Sequence, residues 1–346
     1  MSELATSPTV RSEWLTIGRW RALFRDSPVI PLIGLLVLLV VISEMTRPGI
    51  VSVNWAMVMV RAAIPLAILG ACQTLTMLTG GIDLSVAAVA SMTGFFVATL
   101  VGDFGLGAAI VIALLAAALA GFVTGIGVGV FRVHPLIMTL GMSLIVLGLA
   151  NVWQIQRVQT GAGVPPELRL LGAGIVSSAM PGWLRDVAPA LGLIPYSLLL
   201  FIGLAAVILI GLHRTGYGRL LYAVGDNPVA ARLSGVKAWQ VLIVLYVISA
   251  VLAGIAGFLY AGLTNTASVS LVDSALLPSV AAAVIGGTSI LGGRGGFGGT
   301  IVGALILQVT ISLLSSLGYP DAVRQVLFGS IIVLVAAAYA RITAEA

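Results

Sequence analysis

Charge is scarce in this sequence. Only 8% of its 346 residues are Asp, Glu, Lys or Arg, where a soluble domain carries about 25%. Seventeen basic and twelve acidic side chains cannot cover a chain that is 60% hydrophobic, with a mean hydropathy of +1.16. A water-soluble globule of this size needs polar cover over its surface, so that class is excluded. Cysteine is limited to Cys72, which forms no internal disulfide and no metal cluster; in its apolar run it reads as a small buried hydrophobe. The two histidines, His134 and His213, have no second ligand nearby, so no metal site is expected. No Ser/His/Asp grouping and no P-loop pattern occurs, so neither hydrolytic chemistry nor ATP binding of that kind is expected, and no cofactor is called for. A net charge of +5 and a pI near 9.8 would suit nucleic acid, but basic loops at the inner face of a membrane account for them better.

What the chain has in abundance is long apolar segments and 42 glycines. A helix needs about 20 apolar residues to cross the hydrocarbon core. Ten candidates fit: Val29–Met45, Trp55–Leu78, Leu84–Val101, Leu106–Phe131, Leu136–Ile155, Tyr196–Leu212, Val241–Leu263, Ala275–Leu291, Phe297–Leu317 and Val323–Tyr339. The fold class is therefore an all-α integral membrane protein of about ten transmembrane helices. With both termini cytoplasmic, eleven basic residues fall on the inner side and six on the outer, in keeping with the positive-inside rule. Residues 1–28 are polar with scattered arginines and read as a cytoplasmic N-terminal segment, not a cleavable signal. Residues 29–340 then form one transmembrane domain with two long loops. The outer loop, 156–195, holds five prolines and Trp183. The inner loop, 213–240, has helix-forming stretches around "GDNP", where Pro228 suits a first helical turn capped by Asp226 or Asn227.

Between the second and third segments stands "LTGGIDLSVAAVAS". Residues 55–101 as one straight helix would reach about 70 Å, more than twice the core, so the chain must break and reverse. Gly80 and Gly81 supply the turn, and Asp83 with Ser85 can cap the next helix. Alternatively the break lies deeper and Asp83 lines a polar passage, since a charge inside a membrane marks a pathway by default. An echo, "VIGGTSILGG", sets Gly286, Gly287 and Thr288 between the eighth and ninth segments. Six segments apart implies the same orientation, as a parallel repeat would give. Asn151 and Gln154 near the outer end of the fifth segment form either an interfacial rim beside Trp153 or a cluster facing a hydroxyl-rich solute. Gly80, Gly81, Asp83, Ser85, Asn151, Gln154, Gly286, Gly287 and Thr288 are the candidates for a translocation path. Two glycine stripes, at 121/125/129 and 295/299/303, read as helix-packing faces. Gly293 to Gly298 matches G-x-G-x-x-G, but without a βαβ unit it is no dinucleotide site.

"LTGGIDLSVAAVAS", "FRVHPLIMTLGM", "YAVGDNPVAARLSGV" and "VAAAVIGGTSILGGRGGFGGTIVGALI", in that order, resemble the ribose-type permease subunits of bacterial ABC sugar importers from about residue 30 to 340. The resemblance implies a multi-pass protein of the bacterial inner membrane and a non-catalytic subunit. The expected partners are cytoplasmic ABC ATPase subunits, a periplasmic sugar-binding protein, a second permease subunit and the surrounding lipid; no nucleic acid is expected. It also implies that "VAARLSG" corresponds to the E-A-A-x-x-x-G coupling segment, with Val229 in place of the glutamate. The ATPase-coupling residues would be Asp226, Asn227, Pro228, Ala230, Ala231, Arg232 and Gly235. An ion-coupled secondary sugar transporter is the alternative; it would need buried acid or histidine relays, for which Asp83 is the main candidate.

Overall fold

The computed structural model describes residues 29–157, 163–178 and 189–344. The expected N-terminal segment 1–28 lies outside them, as do Pro181 and Trp183 of the outer loop. The α-helices longer than one turn are α1 Val29–Thr46, α2 Val53–Leu78, α3 Val86–Gly129, α4 Pro135–Arg157, α5 Pro166–Ala173, α6 Tyr196–Arg214, α7 Gly216–Asp226, α8 Pro228–Leu233, α9 Ala238–Thr264, α10 Leu276–Ile285, α11 Phe297–Ser316 and α12 Asp321–Ala344. Extended pairing among the described residues is one isolated antiparallel bridge, Ile175 with Pro195. Seven of the described helices are long and apolar enough to cross a membrane, and a shorter apolar helix follows α9. The all-α membrane architecture expected from composition is present.

At 44 residues α3 is too long for one crossing, and it folds as two. Its helical dihedrals fail at Gly105, where φ is 76° and ψ 164°, a conformation open to glycine. The contacts with α9 show the reversal. Residues 81, 83, 90 and 94 meet positions 246, 249, 257 and 261 of α9, rising together. Residues 121, 125 and 129 meet 250, 243 and 239, falling. The first arm (86–104) therefore runs parallel to α9 and the second (106–129) antiparallel. The third and fourth expected crossings are these arms, joined by a tighter link than the sequence suggested.

Glycine makes this packing possible. A Cβ on Gly125 would sit 2.6 Å from Ile243 Cα, and one on Gly129 would sit 2.9 Å from Trp239 O. The second stripe does the same between α11 and α10, where Gly299 abuts Gly286 and Gly303 abuts Ala282. Backbones approach this closely only where no side chain intervenes. The faces left outward carry large aliphatic residues, such as Leu115, Leu119, Leu144 and Leu149.

The eighth expected segment needs correction. Helix α10 covers Leu276–Ile285, not Ala275–Leu291, so it crosses only part of the bilayer. Asn265 ends α9 in the left-handed region, φ 53°, and residues 265–275 descend without α-helix. Val272 N–H donates to Ser91 Oγ (2.9 Å) on the first arm of α3. At Val272 the non-helical backbone is buried against protein with its donor matched, as depth in a membrane requires.

The segment 156–195 is tied down where it is described. Leu168 and Gly172 of α5 bury against Gly262 and Leu263 of α9. Arg61 Nη1 of α2 donates to Ala173 O (2.7 Å).

Candidate functional site

Helix α2 ends on the glycine turn. Gly80 N–H donates to Met77 O (2.9 Å) and Gly81 N–H to Thr76 O (3.0 Å), with Gly80 at φ 79°. This is a C-terminal cap in which a left-handed residue lets two amides bond back to the last turn. The echo is built alike. Gly287, φ 87°, donates to Val284 O (3.0 Å), and Thr288 N–H donates to Ala283 O (3.0 Å). Gly80 thus corresponds to Gly287 and Gly81 to Thr288, one residue out of the register that the paired glycines suggested. The loop that follows the second turn reaches the end of α2: Gly293 N–H donates to Leu78 O (3.0 Å).

Neighbours fix the depth of the first turn. Cys72 Sγ donates to Ser249 O (3.2 Å), and Ser249 Oγ donates to Asp83 Oδ2 (3.0 Å). Residues 73–82 therefore dip beyond the level of Ser249 and return to it. From Cys72 to Leu78 is about 9 Å of helix, and from Ala238, where α9 begins, to Ser249 is about 16 Å. Lys237 and Trp239 mark that start as an interface. The turn lies roughly 7 Å inside it, and Asp83 lies near the middle of a core about 30 Å thick.

Asp83 is 2% exposed. Its Oδ1 accepts from Ser85 N (2.9 Å) and Ser85 Oγ (2.6 Å), and its Oδ2 from Ser249. The expected side-chain cap is not formed: Ser85 is the N-cap residue of α3 and makes no cap bond, and its amide and hydroxyl both turn back to the Asp83 carboxylate. The irregular backbone around it is matched as well. Gln73 Nε2 donates to Asp83 O (2.8 Å), and Gln73 Oε1 accepts from Asp83 N (3.3 Å). Thr139 Oγ1 of α4 accepts from Leu84 N (3.1 Å). Sequence reasoning missed Gln73, Thr139 and Ser249. Gln73 carried a signal, being a long polar side chain in the apolar run Ala62–Leu78. Thr139 and Ser249 carried none, since a lone hydroxyl in a span bonds its own helix equally well.

Thr288 is fully buried and its hydroxyl has no partner. Beside the turns, Thr74 and Thr300 hydroxyls pair at 2.6 Å, joining α2 to α11. Asn151 and Gln154 are not part of this group. They lie about 18 and about 22 Å further along α4 from Thr139; Asn151 is exposed and bonds Leu147 O of its own helix (2.9 Å). Trp153 between them donates its indole N–H to Thr99 Oγ1 (3.0 Å), and Arg157 lies 4.9 Å over its ring.

Within residues 213–240 the chain forms two short helices, α7 and α8. Asn227, not Asp226, is the cap of α8: its Oδ1 accepts from Val229 N (3.1 Å) and Ala230 N (2.9 Å), with Pro228 at the first position. Ala231 faces inward, while Arg232 is exposed. Gly235, φ 85°, turns the chain towards α9. Val229 and Leu233 stand out, 65% and 85% exposed, on a helix too short to span. Sequence reasoning treated Val229 only as a lost glutamate and passed over Leu233.

A family model described as "Branched-chain amino acid transport system / permease component" matches residues 55–336. The ribose import permease protein of Escherichia coli K12 is 33% identical over 305 residues, covering 88% of this chain and 90% of that protein. The fructose import permease protein of Rhizobium meliloti is 31% identical over 272 residues, 78% and 73% of the two chains. The autoinducer 2 import system permease protein of Yersinia pestis is 33% identical over 261 residues, 74% and 68%. No solved structure matches the chain. The match along most of the chain, together with the spans and reversing turns, places it in one family: the chain belongs to the transport-system permease components, and is a multi-pass membrane permease of the sugar-import kind.

Proposed function

We propose that this permease moves a neutral, sugar-like solute inward by alternating access, driven by a separate ATPase that docks on α7 and α8. Residues 213–240 then face the cytoplasm and residues 156–195 the periplasm, where a solute-binding protein delivers its cargo. Two permease subunits flank the path, and this chain contributes no catalysis of its own. The observation that carries the reading is α8. A six-residue helix, outside the spans, holds an apolar pair away from the protein, which suits insertion into a groove of a partner. Asn227 and Pro228 hold it preformed, so little ordering entropy is lost on docking. Three permeases for ribose, fructose and autoinducer 2 cover most of this chain, which favours a sugar-like solute over a branched-chain amino acid. ATP binding acts on the path only through interactions that differ between inward- and outward-open states.

The test is uptake in proteoliposomes with the ATPase and binding protein. Arg232→Glu with Gly235→Trp reverses a charge beside the exposed Val229–Leu233 pair and forces a large residue into a left-handed turn. The double variant is expected to insert normally while ATP hydrolysis and uptake come apart. Unchanged uptake would refute the docking site, and uptake sustained by a proton or sodium gradient without ATP would refute the whole reading.

A further inference from the structure

The geometry points to α7 as the element that transmits motion, with Gly225 and Tyr222 as positioning residues that clamp it to the end of α2 and to the loop between α10 and α11. This rests on the permease reading above and adds the route by which α8 reaches the spans.

Three stretches of main chain meet at the C-terminal end of α7 with no side chain between them. A Cβ on Gly225 would overlap Leu78 O and stand 2.9 Å from Gly293 N. One on Gly292 would stand 2.7 Å from Gly225 O, and one on Gly293 would stand 2.9 Å from Asp226 Cα. The Gly293–Leu78 hydrogen bond closes the triangle. One turn earlier, Tyr222 Oη donates to Gly295 O (2.8 Å), in the loop that leads into α11. The rest of α7 is held firmly. Leu221 and Val224 are buried, and Tyr217 Oη donates to Val241 O (3.0 Å).

The mechanical consequence follows from what is absent. A contact between flexible side chains absorbs a small displacement by changing rotamers. A contact between backbones has no such slack, and a close-packed interior passes strain on. One residue, Asn227, separates α7 from α8. A shift of α8 therefore reaches the α2–α3 turn and the α10–α11 turn together, and these reversals belong to four elements of the bundle. Glycines 225, 292 and 293, which act by allowing this approach, were not among the candidates read from the sequence.

The experiment uses the assembled importer in proteoliposomes, measuring solute taken up per ATP hydrolysed. Tyr222→Phe deletes one hydrogen bond and keeps the ring, so the fold is preserved; uptake per ATP is expected to fall about three- to tenfold while the ATPase stays bound and responsive to binding protein. Gly225→Ala drives α7 off Leu78 and is expected to lower the ratio further. Wild-type ratios in both variants would overturn the inference. Parallel loss of hydrolysis, uptake and thermal stability in Tyr222→Phe would also overturn it, by showing a structural role alone. Failure of the permease reading looks different, because the unmutated chain would then show no ATP-dependent uptake.

Discussion

Asp83 is the side chain whose role most needs deciding, and two substitutions separate the possibilities. A mid-membrane carboxylate either serves translocation or holds the helix reversal together. Asp83→Ala removes the acceptor for Ser85 N–H, Ser85 Oγ and Ser249 Oγ at once. The buried amide has no replacement, at a cost of about 1–3 kcal/mol, and each hydroxyl loses about 1 kcal/mol. Together these destabilise the α2–α3 reversal by roughly 3–5 kcal/mol. Asp83→Asn keeps nearly all of it. The amide oxygen still accepts from Ser85, and the amide NH2 donates to Ser249 Oγ, so the change stays within about 1 kcal/mol. Thermal unfolding of the purified protein is expected to show a large fall for Ala and a small one for Asn. ATP-driven uptake in proteoliposomes is expected to survive Asn and be lost with the Ala fold. An Asp83→Asn protein that unfolds like the wild type yet transports nothing would refute the reasoning, because the negative charge itself would then be required.

Two further outcomes follow from the packing and capping. Asn227→Ala removes both cap bonds of α8, costing about 1 kcal/mol of helix order; affinity of the ATPase for the reconstituted permease should weaken about fivefold, as titration of labelled ATPase would show. Gly257→Leu forces a side chain into the carbonyl of Ala90, and with no space to relax into, it should cost more than the 1–3 kcal/mol typical of overpacking. Yield of folded protein after detergent extraction checks this, and normal yield would mean that α9 and the first arm of α3 are not packed as described.

Much of the molecule was legible in the amino-acid order because it depends on local quantities. Hydropathy over about twenty residues reports a crossing wherever it occurs, so α1, α2, α4, α6, α9 and α11 lie where expected. Gly80–Gly81 and Asn227–Pro228 were legible for the same reason: a turn and a cap are written in adjacent residues. Segment eight was misjudged because Ile290 and Leu291 drew the expected span on past Gly286–Ser289, while the bonds that end the helix depend on Gly287 adopting a left-handed conformation.

Partnership across the bundle was not legible. Lipid tails are as apolar as leucine, so hydrophobicity does not distinguish the face of a helix that meets protein from the one that meets lipid. Ser249 lies 166 residues from Asp83, Gly293 lies 215 from Leu78, and nothing in their neighbourhoods says they touch. Composition and local order alone dictated a membrane-embedded helical bundle with a capped helix in the long polar connection before α9. Only tertiary packing chose which hydroxyls satisfy Asp83, and which three glycines let α7 rest on the end of α2 and on the loop between α10 and α11, because those choices depend on groups that meet only after the helices have assembled.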